Sequence, residues 1–319
     1  MKRSSGFVFL CFALMAGQAT AASISAHLTN PSTNNISEKR PSSKNAEDSF
    51  VVRTNKIEGN VYFLECINGF GGGNVAASVG EDGILIVDDM YNMMSNRLKA
   101  ALKKLSDQPI KMVLNTHFHG DHIDGNKSFQ KSSVIIAQEN VGKRLLRTNS
   151  EKYPTAGMMP AISFRDSLTI HFNGEDIKLI HYPNSHTDGD AMIYFTKSKV
   201  IHLGDMFFFK MFPAVYTEGG GNIKQLIVSL DQVLKDIPAD THVVPGHGDV
   251  ATMQDLQEYV NMLKETTGIM EECIRKGISL EQMKKEKVLA KYNALGDGGA
   301  QTTDEYLAML YKLLSANKS

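Results

Sequence analysis

Residues 115–126 read Asn-Thr-His-Phe-His-Gly-Asp-His-Ile-Asp-Gly-Asn, which places three imidazoles and two carboxylates within eight consecutive positions. Side chains so close in sequence can converge only if the backbone turns as it leaves a rigid element. Residues 111–114, Lys-Met-Val-Leu, supply that element: a short apolar run that reads as a buried strand releasing a loop. In extended or turning backbone His117 and His119 can reach one ion, while Asp121 and His122, after Gly120, can turn toward a second. Imidazole and carboxylate together suit zinc, with iron or manganese as competitors.

Three further motifs follow in order: Ser-His-Thr-Asp-Gly-Asp at 185–190, Leu-Gly-Asp at 203–205 and Val-Pro-Gly-His-Gly at 244–248. With the His-x-His-x-Asp-His spacing they resemble the metallo-β-lactamase fold superfamily, and the resemblance runs over residues 51–270. It implies an α/β protein, a four-layer αββα sandwich, here followed by a C-terminal helical extension. It also implies a dinuclear ligand set, with His117, His119 and His186 on the first metal and Asp121, His122 and His247 on the second. Asp205 matches the bridging carboxylate of glyoxalase II, and Asp121 and Asp205 become the expected catalytic carboxylates. Two zinc ions sharing a water lower its pKa toward neutrality, so hydrolysis by a metal-bridging hydroxide is the expected reaction. Asp124, Asp188 and Asp190 are candidates for holding the imidazoles in their ligating tautomers.

The chain has 319 residues, 42% of them hydrophobic, enough for a large core, and a formal charge of −1 that argues against a nucleic-acid partner. Lys2 and Arg3, an apolar run over 6–16 and Ala-Thr-Ala at 19–21 predict a secretory signal over 1–21 and a periplasmic or secreted protein. That run is too short for a permanent span, so no membrane association is expected after cleavage. Residues 22–49, rich in Ser, Asn, Thr, Lys and Pro, read as a flexible leader. Cys66 and Cys273 lie far apart in the mature chain and are read as two free, packed thiols.

From residue 50 four strand-like runs, ending at 83–88, predict an antiparallel meander. Between the second and third lies Asn-Gly-Phe-Gly-Gly-Gly-Asn at 68–74, a hairpin loop that can also serve as a flap carrying Phe70. A helix over 94–105, the metal strand, a strand at 134–137 and a helix over 139–146 then alternate, as two sheets between helical layers require. Residues 148–164, with Tyr153, Pro154, Met158 and Met159, show no periodicity and are placed at the pocket rim. A second meander runs from 168 to 203, and His171, His181, His202 and His242 in or beside strands are read as packed or edge residues. Helices are expected over 225–234, 253–275, 281–291 and 304–314. The hydrolase domain is expected over 50–275, with 276–319 as the helical extension.

The expected partner is a small molecule: an ester, thioester, lactone or lactam. The best-known secreted β-lactamases of this fold carry Cys where Asp205 stands and a carboxylate-binding lysine where Phe208 stands. β-Lactam hydrolysis is therefore the alternative, and Phe207 to Phe209 with Met211 and Phe212 are read as an apolar wall beside the metals. An iron oxidoreductase of the same fold and a non-catalytic metal-binding protein are further alternatives; the full dinuclear set with His122 argues against the iron reading.

Overall fold

The computed structural model describes residues 49–150 and 155–315, so the signal, almost all of the leader, and Tyr153 with Pro154 lie outside the described residues. Among the described residues thirteen strands form two sheets. The first has the order β1 (Val51–Glu58), β2 (Val61–Ile67), β3 (Val75–Gly80), β4 (Gly83–Val87), β5 (Ile110–Leu114), β6 (Val134–Gln138) and β7 (Ile162–Phe164). Its first four strands pair antiparallel and its last three join in parallel, as the change from meander to strand–helix alternation requires. The second sheet comprises β8 (Ser167–Phe172), β9 (Glu175–His181), β10 (Ala191–Phe195), β11 (Val200–His202), β12 (His242–Val244) and β13 (Ala251–Thr252), hydrogen-bonded in that sequence.

Period-two alternation divides single strands between layers. Leu85 and Val87 of β4 meet Ile193 and Phe195 of β10 in the core between the sheets. Their neighbours Ile84 and Ile86 face outward, onto Leu98 and Leu102 of helix α1 (Ser95–Leu105). On the far side Met192 and Tyr194 face outward, together with Ile201 and Val243, onto Leu226 and Leu230 of α5 (Ile223–Asp236) and Leu256, Val260 and Leu263 of α6 (Met253–Arg275). Between α1 and α5 lie two single turns, α2 (Gly120–Ile123) and α3 (Asn126–Phe129), and the longer α4 (Glu139–Thr148). Helix α5 spans Ile223–Asp236, capped by Asn222, and α6 spans Met253–Arg275, entered through a Thr252/Asp255 capping box. The result is helix, sheet, sheet, helix.

Beyond Arg275 the chain continues as α7 (Leu280–Glu286), an irregular 3₁₀ segment (Ala290–Gly298) and α8 (Thr303–Ser315). Tyr306, Leu307 and Leu310 of α8 are buried in the same cluster as α5 and α6. Cys66 and Cys273 are both free thiols. No helix among the described residues is long and apolar enough to cross a membrane.

Two differences from the expectations concern segments near the metal motif. Residues 120–129 coil into α2 and α3 rather than forming an open loop, because His122, Ile123, Asn126 and Phe129 are all buried there. Met158, placed at the pocket rim from sequence, is instead buried with Ile123, Ala137, Val141 and Leu145 under α4. The backbone carbonyl of Met158 accepts from Asn126 Nδ2 (2.9 Å), which ties this aperiodic segment to α3.

Candidate metal centre

Each predicted ligand follows the end of a strand: residues 117–122 follow β5, His186 lies in the turn between β9 and β10, Asp205 follows β11 and His247 follows β12. Two groups result. His117, His119, His186 and Asp205 form one, and Asp121, His122 and His247 the other, each with ligating atoms within 4.8 Å of one another. Asp205 faces both. Its Oδ2 lies 3.5 Å from His186 Nε2 and 3.7 Å from His117 Nε2, while its Oδ1 lies 3.1 Å from His122 Nε2 and 3.4 Å from His247 Nε2. Asp121 Oδ2 is 3.2 Å from His247 Nε2.

Close backbone approach makes this possible. Gly204 adopts a positive φ of 51°, and a Cβ there would stand 2.5 Å from Thr116 Oγ1, so only glycine lets the Asp205 turn lie against the β5 loop. A Cβ at Gly246 would collide with Asp205 Oδ1. His202, predicted to be a packed residue, accepts from Gly204 N at Nδ1 (3.1 Å) and bonds Asn74 O through Nε2 (3.1 Å), which secures the same turn.

The hydrogen bonds decide which nitrogens are free. Ala214 O can only accept, so His186 Nδ1 is its donor (2.5 Å) and Nε2 carries the lone pair. His122 Nδ1 donates to Asp88 Oδ2 (2.7 Å), leaving Nε2 without a hydrogen-bond partner, as is Asp205 Oδ1 opposite it. Thr116 Oγ1 donates to Asp88 Oδ2 (2.7 Å) and therefore accepts from His117 Nδ1 (3.0 Å). His117 Nε2 and His186 Nε2 then both face His119 Nδ1, at 3.1 and 2.9 Å, where one proton cannot satisfy all three lone pairs. Buried, converging lone pairs and an orphaned carboxylate oxygen are what a cation neutralises. The donor set fits two divalent metals.

Asp88, expected from sequence only as the end of the strand run 83–88, is the carboxylate that orients imidazoles in both groups. It is fully buried at the end of β4 with φ 60°, and it also accepts from Thr116 N (2.8 Å). The three aspartates named for this role are engaged elsewhere. Asp124 pairs with Lys127 (2.6 Å), Asp188 pairs with Arg144 (2.7 Å), and the Asp190 carboxylate accepts from Thr187 N (2.7 Å) and Oγ1 (2.5 Å), shaping the turn that bears His186 without bonding a ligand imidazole. A terminal Asp-Asp pair after an apolar strand was the available signal for Asp88, but nothing in the spacing says which imidazole it meets.

Electrostatics separate the groups. Burial pushes His117 well below its usual range, lowers His119 and takes His186 to about 3. Burial opposes protonation of His122 and His247 as well, yet Asp205 and Asp121 overcome it, raising His122 well above its usual range and His247 to about 9. Asp205 is held well below the carboxylate range: its burial is outweighed by His122 and His247.

The predicted aromatic wall is rearranged. Phe207 packs on Tyr259 (5.0 Å between ring centroids) and Phe212 stacks on Tyr306 (4.2 Å), both inside the core. Alternation turns only Phe208 of this run toward the two histidine–aspartate groups, stacked on His247 at 5.3 Å and 6.1 Å from His186. Phe70, on the loop between β2 and β3, covers the other side of His247 at 5.6 Å, and Phe118 lies 4.6 Å from His119. Lys210 Nζ rests over the Phe209 ring at 4.9 Å.

The family model described as the metallo-beta-lactamase superfamily matches residues 69–288. The chain belongs to that superfamily. It is similar to the linear primary-alkylsulfatase of Pseudomonas sp. (strain ATCC 19151), 25% identical over 252 residues, 63% of this chain and 47% of the relative. It is similar also to the hydroxyacylglutathione hydrolase of Pelagibacter ubique (strain HTCC1062), 29% identical over 51% of this chain and 64% of the relative. The metallo-beta-lactamase type 2 of Bacteroides fragilis is 24% identical over 47% of this chain and 59% of the relative. The chain thus spans from about half to under two thirds of these three relatives. In fold it matches the metallo-beta-lactamase from Pontibacter korlensis (TM-score 0.58, 16% identity, 67% of this chain and 99% of that one) and the DIM-1 metallo-beta-lactamase (TM-score 0.56, 18% identity, 67% and 98%). These agree with the αββα architecture expected from the motifs.

Proposed function

We propose that the chain is a dizinc hydrolase of small, uncharged carbonyl substrates: esters, thioesters, lactones or lactams. The observation that carries this reading is Asp205, with one oxygen toward each ligand group, since a carboxylate so placed holds two cations together. Bound there, the ions would supply a water of lowered pKa and a Lewis-acid face for the carbonyl oxygen. The residues do the rest. Asp88, Thr116 and Ala214 hold three imidazoles with their lone pairs inward. Asp121, more exposed than Asp205 (15% against 6%), orients the attacking water and accepts its proton as the new C–O bond forms. The proton returns to the leaving group as the old acyl bond breaks.

Phe70 and Phe208 flank His247 with apolar faces, which favours neutral or hydrophobic acyl groups. The lost charge-assisted contact to an anionic drug, about 1.5–3 kcal/mol, lowers β-lactam turnover by roughly ten- to a hundredfold. A second reading, hydrolysis of an alkyl sulfate, is favoured by the alkylsulfatase match over 252 residues together with the same apolar faces. The test is kcat/KM of zinc-loaded full-length protein on aryl esters, thioesters, lactones, an alkyl sulfate and a chromogenic cephalosporin. Efficient cephalosporin turnover that is lost in Lys210→Ala would replace the carbonyl reading with β-lactamase.

We further propose export, from the charged start, short apolar run and Ala-Thr-Ala. N-terminal sequencing of native protein should find a start at or near Ala22; an intact Met1 on cytosolic protein would refute it.

A further inference from the structure

Gln301 and the helix α8 that follows it touch the segment that leads away from Asp205 at successive positions. Tyr306 stacks on Phe212. Gln301 Nε2 donates to Pro213 O (2.5 Å), and Met309 Sδ accepts from Val215 N (3.1 Å) while lying 3.5 Å from Gln301 Nε2. Lys312 pairs with Glu218 (2.6 Å). Between the residues gripped by Gln301 and Met309 sits Ala214, whose carbonyl oxygen holds His186 Nδ1.

The peptide plane gives this arrangement its consequence. Ala214 C=O and Val215 N–H belong to one rigid plane, so a side chain that fixes the N–H direction fixes the carbonyl direction as well. Pro213 O belongs to the preceding plane. Pinning both planes sets the two backbone dihedrals of Ala214 and hence where its oxygen points. Val215 is fully buried, so its N–H needs a protein acceptor, and the Met309 sulfur is that acceptor. Gln301 and Met309 are themselves buried, with 6% and 7% exposure.

We infer that Gln301 and Met309 are positioning residues for the first ligand group, acting through Ala214 on the ring of His186, so that the tail is part of the metal centre's support. Both lie beyond residue 288, where the family match ends. The inference rests on the dinuclear reading of the site, and the experiment separates the two.

Full-length parent, Met309→Leu, Met309→Gln, Gln301→Met and Lys312→Ala are loaded with zinc and challenged with a chelator, and cobalt-substituted samples are compared by absorption. Met309→Leu nearly conserves volume but removes the acceptor, whereas Met309→Gln restores one through its amide oxygen. Met309→Leu and Gln301→Met should release one ion about three- to tenfold more readily, less than the 10- to 100-fold typical of groups that bond a ligand directly. The other ion should be held as in the parent, and the cobalt spectrum of one site alone should shift. Met309→Gln and Lys312→Ala should behave as the parent. Equal retention in all variants overturns the inference, as does release by Met309→Gln or Lys312→Ala matching that of Met309→Leu. A parent that holds fewer than two ions overturns the dinuclear reading instead. The inference is then decided on metal-free protein, where ¹⁵N resonances of His186 should show an Nδ1–H tautomer in the parent that is lost in Met309→Leu; an unchanged tautomer overturns it.

Discussion

The two ligand groups use the same kinds of side chain and reach opposite protonation states. Around His117, His119 and His186 burial prevails and the imidazoles are neutral, whereas His122 and His247 are drawn toward the charged form by Asp205 and Asp121. The difference is one of carboxylate partners: His247 Nε2 has Asp121 Oδ2 at 3.2 Å as well as Asp205 Oδ1 at 3.4 Å, and His122 Nε2 has Asp205 at 3.1 Å and Asp121 at 3.5 Å, whereas His186 and His117 meet Asp205 Oδ2 alone, at 3.5 and 3.7 Å. Neutral imidazoles present lone pairs at once. Protonated ones must lose a proton before they bind a cation, so metal and proton compete mainly at the second group.

The comparison breaks most sharply when a ligand is removed. His186→Ala should empty the first group, and Asp121→Ala or His247→Ala the second, each leaving one of two ions by elemental analysis. Retention of both ions in all three variants would dissolve the distinction. Asp205→Asn touches both groups, because a neutral amide cannot offset two dications. Activity should fall by more than about a hundredfold, beyond the loss typical of an indirect partner, and the acid limb of the pH–rate profile should move up. An unchanged profile with metal intact would remove Asp205 from the site. Asp88→Asn should weaken both groups together by about 10- to 100-fold in chelator titration, since Asp88 bonds His122 directly and His117 through Thr116. Loss confined to one ion would show that this shared carboxylate does not couple them.

A smaller effect belongs to the metal-free chain. His186, lowered from 6.5 to about 3, binds fewer protons folded than unfolded in that window, so its stabilisation is lost as pH falls from 6.5 toward 3. His247, raised to about 9, does the reverse: its contribution is complete below pH 6.5 and is lost as pH rises through 9. Taken together these two contributions are greatest near pH 6.5, and each is read as the difference between parent and variant urea midpoints. His247→Gln should flatten the alkaline limb and His186→Gln the acid one. Parent and variant midpoints that stay a constant distance apart across pH 4–9 contradict the opposed states.

An unbroken apolar run does not say that Leu85 and Val87 face the other sheet while Ile84 and Ile86 face α1. The four motifs and the strand run at 83–88 were nonetheless legible from sequence, because a strand and the loop at its end are local properties. The same holds for Met253–Arg275, whose capping box and apolar stripe lie within one element. Local pattern also marks which residues can ligate: seven side chains, all at strand ends, meet in two groups. What it leaves open is direction across elements. Asp88 rather than Asp124, Asp188 or Asp190 orients the imidazoles because β4 and β5 are parallel neighbours that place Asp88 beside Thr116 and His122. Phe208 alone of its aromatic run faces His186 and His247, since Phe207 and Phe212 find Tyr259 and Tyr306 on α6 and α8, helices far along the chain. The grip of Gln301 and Met309 on the peptide that carries Ala214 likewise joins positions about ninety residues apart. Ligand identity follows from the chemistry of each residue taken singly, but ligand orientation is a property of the packed layers, where a buried donor must bond whatever acceptor the tertiary fold sets before it.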